Sequence, residues 1–450
     1  MTLEAGYLIR GGSMGGNQLD SAGSRVGWAW DVKQATPYPA MLRDHANQIE
    51  LVIPYNSSDE VLNRRYTGSM VRWGDDPEMS RFDYELPDQF WFMDTRGFVS
   101  LNGIRFRTLQ SIGGPTIFNE CRIGIDYAVF CGEPGVDYSA VNGLMTRVEG
   151  LGRWFGHRSV RHNLEDRERS KDEFSLTITS PRTQRLDAGL NLSIIAGADW
   201  RLPGEPGLTH LEEIGSISTT IRRARPWMDH LDRHHAIHQL LEISAWKPLG
   251  FQQIRVMHNR DPERVLSGQV IGDRWAPVKT YSLPDTQNEA RTEFLFTFQD
   301  IEAAGVRRWL RLREQFSRGI HAMTFSTRQS GMSLDGLISD SGIGLEEIGH
   351  KIDVMQGGGS RRGHHAHLLD ISSEVDDVLP FNGSDWATES TTIYNGVKHA
   401  DAPDPAARDL QQMLIKNRLV FRVWLARRIG VSDEVIDRGM WRMKRGLSET

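Results

Sequence analysis

The order in which residue patterns follow one another constrains this fold more than any single motif does. Short runs rich in Val, Ile, Leu, Phe and Tyr fill the first two thirds of the chain, and longer amphipathic runs come after them. Gln48 to Pro54, Gln89 to Leu101, Arg122 to Cys131, Phe174 to Thr179, Leu190 to Ala196 and Ile217 to Ile221 are of the first kind, and most end near Gly, Pro, Asn or Asp. That punctuation marks strands joined by loops. Gln253 to Met257, Pro277 to Leu283 and Thr292 to Phe298 continue the series. Strands first and helices later predicts an α+β chain: a β-rich, sandwich-like domain over residues 1–300 and an α-helical bundle over 301–450.

One helix interrupts the β-rich part. Pro226 to Lys247 opens with a proline suited to a first turn, carries Leu231, Ile237, Leu240, Leu241 and Ile243, and stops at Pro248. His230, His234 and His238 recur on it at one-turn spacing, with Glu242 next on the stripe. Histidines a turn apart are a zinc pattern, but a zinc site draws further ligands from elsewhere. With ligands visible on one helix only, the stripe reads as a polar face packed against the β-rich domain, with no metal.

From Asp300, a candidate N-cap, Val306, Trp309, Leu310, Leu312 and Phe316 recur beside Arg307, Arg308, Arg311, Arg313 and Arg318. The arginines suit either an RNA backbone or a solvated, salt-bridged face. A second helix is predicted over Leu345 to Met355. Gly357-Gly358-Gly359-Ser360 breaks it, and Arg361-Arg362-Gly363-His364-His365-Ala366-His367 follows as a mobile loop. Asp385 is the candidate cap of a helix over Trp386 to His399. The last helix takes Asp404 as cap and Pro405 in its first turn, has a stripe of Leu410, Met413, Leu414, Phe421, Trp424 and Leu425, and stops at Gly430.

At 450 residues, 39% of them hydrophobic, the chain can bury a large core in two or more domains. No apolar run approaches membrane-spanning length, and Met1 to Asn17 lacks the order of a signal peptide, so a cytoplasmic location is predicted. Cys121 and Cys131 show no metal spacing and read as buried, reduced thiols. A net charge of −6 weighs against general capture of nucleic acid. Residues 301–450 hold 20 basic and 20 acidic side chains, however, leaving 33 against 39 in residues 1–300. A basic patch in the C-terminal part therefore stays open.

Chemistry concentrates in Tyr394-Asn395-Gly396-Val397-Lys398-His399. Asn395 and His399 are one helical turn apart and share a face, so an amide, an imidazole and the Lys398 ammonium could converge on one phosphodiester. An imidazole can move the proton of an attacking 2′-hydroxyl, and a cation can hold the charge developing on phosphoryl oxygens. A helix end is the alternative, since Asn395 or Gly396 tolerates a left-handed cap and cations favour a helix C-terminus. Arg362 and His367, flanked by Arg361, His364 and His365, form a second arrangement with similar spacing.

The C-terminal region resembles a HEPN domain, a helical bundle whose active members are metal-independent ribonucleases. Their motif is an Arg, a polar residue that is often Asn, a few further residues and a His, and Ile393 to His399 aligns with it in the penultimate helix. The whole chain is similar to the ApeA family of bacterial abortive-infection proteins, in which a β-rich N-terminal domain precedes the HEPN bundle. The landmarks are Asn142-Gly143-Leu144 with Trp154, the helix from Trp227 to Leu241, and Trp309 to Phe316. The resemblance implies an anti-phage endoribonuclease that acts through His399, Asn395 and Lys398 on tRNA or another cellular RNA. Arg361, Arg362 and His367 are then an alternative RNA-binding site. It further implies no cofactor, a homodimer, and a phage-derived trigger. Tyr394 stands where the family has Arg, and Lys398 would supply that charge without the bidentate fork. Two other readings remain: a HEPN protein that binds RNA or a partner without turnover, and a carbohydrate- or ligand-binding β-sandwich with a groove lined by Trp and Tyr.

Overall fold

A computed structural model describes the chain apart from residues 1–15, 32–33, 46, 68–76, 113–117, 158, 165–173, 180–181, 202–209, 282–291, 329–330, 359–361 and 449–450. The strands are β1 (Ser24–Asp31), β2 (Gln34–Asp44), β3 (Ile49–Asn56), β4 (Gln89–Asp94), β5 (Gly97–Ile112), β6 (Phe118–Val129), β7 (Ala140–Val148), β8 (Val160–Leu164), β9 (Phe174–Ile178), β10 (Arg182–Arg185), β11 (Ser193–Arg201), β12 (His210–Pro226), β13 (Phe251–Arg264) and β14 (Val270–Thr280). Three helices lie among them: α1 (Glu60–Thr67), α2 (Leu151–Phe155) and α3 (Trp227–Ala245). After Thr280 the described residues form only helices: α4 (Phe298–Gln315), α5 (Ser317–Phe325), α6 (Leu334–Met355), α7 (His364–Ser372), α8 (Gly383–Lys398), α9 (Ala407–Ile429) and α10 (Asp433–Ser448). The α+β order of β-rich first and helical second holds. No helix among the described residues is long and apolar enough to cross a membrane.

The β-rich part is a barrel drawn out into an open sheet, where a sandwich-like arrangement was the expectation. β6 pairs with β3, β3 with β2, β2 with β1, β1 with β4, β4 with β5, and β5 again with β6, all antiparallel. This ring leaves no open edge and fills its interior from alternate residues, among them Leu51 and Ile53, Phe90 and Phe92, Val99 and Leu101, and Cys121 and Ile123. Beyond the ring, β14 joins β6 through Val278↔Val129, Lys279↔Ala128 and Thr280↔Tyr127. The sheet then continues β13, β7, β12, β11, β10. Cys121 and Cys131 are free and buried, and burial pushes both thiols up to about 12.

Helix α3 lies across β7 and β12, and its histidine stripe is the face pressed onto them. His230, His234 and His238 are fully buried. The Thr219 hydroxyl bonds His230 Nδ1 at 2.8 Å and His234 Nε2 at 2.9 Å, and Thr146 bonds His234 Nδ1 at 2.7 Å. His238 Nε2 meets the Leu249 carbonyl at 2.6 Å, while Arg328 reaches both its Nδ1, at 3.1 Å, and Glu242, at 2.6 Å. These bonds make burial of the imidazoles tolerable. Among the described residues no group of His, Cys, Asp and Glu is placed to hold a metal.

One core runs from Val148 on β7 through α2, α3 and β11 to Ile436 on α10. Two of the landmark aromatics, Trp154 and Trp309, sit in it, and Trp227 packs against a smaller cluster with Val129, Tyr138 and Val141. Trp154 Nε1 donates to the Phe296 carbonyl at 3.0 Å, Trp309 Nε1 to the Ala236 carbonyl at 2.7 Å, and Trp227 Nε1 to the Tyr138 carbonyl at 2.6 Å. Asn142 Nδ2 donates to the Ile221 and Arg222 carbonyls, and its Oδ1 accepts from Asn259 N–H at 3.0 Å. A Cβ on Gly143 would stand 2.9 Å from the Trp275 ring. Arginines of α4 tie it to three neighbours: Arg307 donates to the Leu186 carbonyl, Arg308 to the Ile429 carbonyl at the end of α9, and Arg313 to Gln239 and Asp232 of α3.

Several element ends differ from expectation. Helix α4 is capped by Thr297, with Asp300 completing a capping box, and α8 is capped by Asn382 rather than Asp385. Helix α9 follows Ala406, not Asp404, and ends at Gly430 with φ 96°. Helix α6 starts at Leu334, well ahead of Leu345. Thr292 to Phe298 is not one of the strands, and α4 already begins at Phe298. The Leu295 N–H instead reaches the Ser244 carbonyl of α3 at 2.9 Å.

Candidate functional site

The candidate site is assembled by the glycine-bearing face of α6. A Cβ on Gly342 would fall 2.4 Å from Tyr394 Cδ2, and one on Gly349 would fall 2.2 Å from the His367 carbonyl oxygen. These two glycines, seven residues apart on one helix face, let α8 and α7 approach α6 with no side chain between. On α8 the buried residues are Gly383, Trp386, Ala387, Ser390 and Tyr394, a stripe at three- and four-residue spacing that faces the bundle. Asn417 of α9 holds that stripe: its Oδ1 accepts from Trp386 Nε1 at 2.9 Å and Ser390 Oγ at 3.0 Å, and its Nδ2 donates to Ser341 of α6 at 3.1 Å.

Tyr394 therefore belongs to the packing side of α8. Only 5% of its surface is exposed. Its ring stacks on His364 with centroids 4.5 Å apart and an interplanar angle of 14°, and Lys398 Nζ lies 5.2 Å from the ring centroid. Asn395, Lys398 and His399 are all exposed, Lys398 lying one turn beyond Tyr394 on the same side of the helix. The helix runs straight through Asn395 and Gly396, and neither takes a left-handed conformation. The cap is His399 itself, extended at φ −118°, with its N–H on the Asn395 carbonyl at 2.9 Å. Gly396 matters for space, because a Cβ there would lie 2.7 Å from the Pro403 carbonyl oxygen and 2.8 Å from Pro405. The connection to α9 is seated against the end of the motif.

The second arrangement is split. Arg361 lies outside the described residues. Arg362 Nη1 bridges Asp353 and Asp370, both at 2.8 Å. His367 is buried, edge-on to His350 at 5.5 Å. His364 to His367 form the first turn of α7, not a mobile loop. That turn brings His364 to Thr391 at 3.2 Å and His365 to Thr388 at 3.3 Å. The two stretches singled out in the sequence are thus neighbours, joined through the His364–Tyr394 stack. Burial holds the His364 imidazole below its ordinary range, with Lys398 acting in the same direction and Glu346 against it. Glu346, Thr391 and the Gly342 contact were missed in the sequence. Their only trace there is the run of glycines in an otherwise helical pattern.

A family model described as ApeA N-terminal domain 1 matches residues 24–311, more than half of the chain. No curated protein and no solved structure matches it.

Proposed function

Because the chain belongs to the ApeA N-terminal domain 1 family, we propose that it is an anti-phage abortive-infection effector whose helical part cleaves RNA without a metal. One observation carries the reading: Asn395, Lys398 and His399 stand exposed at the end of α8, held there by a buried Tyr394 and a tightly seated connection. His399 moves the proton of the attacking 2′-hydroxyl, Lys398 faces the phosphoryl charge, and Asn395 orients the phosphate. The substrate is tRNA or another cellular RNA, the working form a homodimer, and the signal a phage-derived trigger.

The test is cleavage of total cellular RNA by the purified full chain under triggering conditions. Cleavage should survive EDTA, fall by about 10²–10⁴-fold in His399→Ala, and weaken in Asn395→Ala. Equal cleavage by His399→Ala and wild type would remove His399 from the chemistry. A second reading, RNA or partner binding without turnover, draws on Tyr394: the position where the family carries Arg is filled by a buried ring, not by a guanidinium at the surface. RNA retained by a wild type that never cleaves it would favour that reading.

A further inference from the structure

A second site lies where α2 ends, β10 begins and α4 starts. A cavity of about 420 Å³ opens there, within the range of roughly 300–1,000 Å³ typical of small-molecule sites. Its floor is apolar: the Phe155 and Phe298 rings pack with centroids 4.9 Å apart, both buried. Its walls are polar. Arg182 comes from β10 and Arg307 from α4, the latter anchored by the 3.1 Å bond from its Nη1 to the Leu186 carbonyl. Gln299 donates to the Gly156 carbonyl at 3.2 Å, and Gln184 stands two residues along the strand from Arg182. Glu302, also at the rim, holds φ 51° and ψ −169° and kinks α4 there. A non-glycine residue rarely adopts that backbone, and such strain concentrates at ligand clamps.

We propose that this cavity binds a mononucleotide, with its phosphate between Arg182 and Arg307 and its base against the Gln184 and Gln299 amides. Each element of the ligand follows from the lining. Two permanent cations set against the one Glu302 carboxylate suit a single phosphate better than a polyphosphate. Guanidinium groups are the side chains best matched to phosphate oxygens. The Gln184 and Gln299 amides can both donate and accept at a base edge, and the buried Phe155–Phe298 pair holds the end of α2 against the start of α4 beneath them. The site is independent of the ribonuclease reading. It lies instead where strand β10 meets α4, the helix that Arg308 fastens to the end of α9.

Calorimetric titration of the full chain with AMP, GMP, CMP, UMP and inorganic phosphate tests the assignment. At least one nucleoside monophosphate should bind, more tightly than inorganic phosphate. Arg182→Glu should weaken that binding by about tenfold or more, equal to about 1.4 kcal/mol, without changing the thermal midpoint, because Arg182 is exposed on the sheet's edge strand. Arg307→Gln should weaken it too, and if the loss of the Leu186 bond unfolds that variant, Arg182→Glu decides alone. Failure of all four nucleotides to bind overturns the proposal. So does phosphate binding as tightly as they do, or unchanged affinity in Arg182→Glu. Binding abolished by His399→Ala but kept in Arg182→Glu would place the nucleotide at the helical site, and overturns it equally.

Discussion

Gly342→Ala isolates the contact on which the candidate site is built. Two effects oppose each other. Alanine is the better helix former, worth about 0.8–1.0 kcal/mol in a helix interior, and Gly342 has no left-handed backbone to lose. Against that, the new Cβ would stand 2.4 and 2.5 Å from Cδ2 and Cε2 of Tyr394. The ring cannot swing clear, being buried and stacked on His364, so ring and helix must move apart at about 1–3 kcal/mol for an overpacked core. The net effect in wild type is a loss of up to about 2 kcal/mol. In a Tyr394→Ala background the obstacle is gone and only the helix term remains, so the same substitution should stabilise by about 0.8–1.0 kcal/mol. Urea unfolding of all four proteins gives the coupling, expected at about 1–3 kcal/mol. Equal effects of Gly342→Ala in both backgrounds would refute the packing argument.

Acidification gives a second expectation. Burial brings His235 and His238 down to about 4, whereas an unfolded imidazole titrates near ~6.5. The unfolded chain then binds more protons between those values, so the stability due to these rings is complete above the unfolded value and is lost as pH falls towards the folded one. Glu242, raised by burial despite Arg328, works with the opposite sign. The measurement is therefore the difference between wild type and His238→Gln, and the variant should lose less stability on acidification; parallel pH curves would count against the ring's role. Trp309→Phe removes the donor to the Ala236 carbonyl and should cost about 1–3 kcal/mol in urea unfolding, against no change if α4 is held to α3 by apolar contact alone. Dialysis against EDTA should leave the thermal midpoint unmoved, because the histidine stripe is engaged by Thr146, Thr219 and backbone carbonyls; a drop would make the stripe a metal site.

Legibility in the sequence followed the kind of signal. The α3 helix was readable to within two residues because Pro226 and Pro248 bracket a strong apolar pattern. β2 was not, since it carries Pro37 and Pro39 in mid-strand, residues that ordinarily argue against a strand. The caps of α4 and α8 were each misplaced by three residues for a shared reason. Thr297 with Asp300 and Asn382 with Asp385 both pair an N-cap with an acid at the third helical position, and the positive helix end favours both. Thr292 to Phe298 has the burial of a strand, but its backbone partner is Ser244 at the end of a helix, which no local pattern encodes. At the candidate site, helical spacing set Asn395 and His399 one turn apart, but it did not tell that Lys398 would lie over the Tyr394 ring. The inward turn of Tyr394 depends on where α6 offers a glycine, and that is knowledge of tertiary structure.

The ring of strands has a bearing on how the chain is made. Every strand of the barrel lies within Ser24–Val129, so during vectorial synthesis the barrel possesses all of its hydrogen-bonding partners before β7 has left the ribosome. The outer sheet is in the reverse position: β7 waits for β12 and β13, and the weld of β14 to β6 cannot form until Thr280 emerges. Domains emerging first generally fold first, and exposed strand edges are where nascent chains associate wrongly. The hazardous interval in the biogenesis of this protein is thus the synthesis of residues 140–280, when a completed barrel trails strands whose partners, and the α3 helix that covers β7 and β12, are still being made.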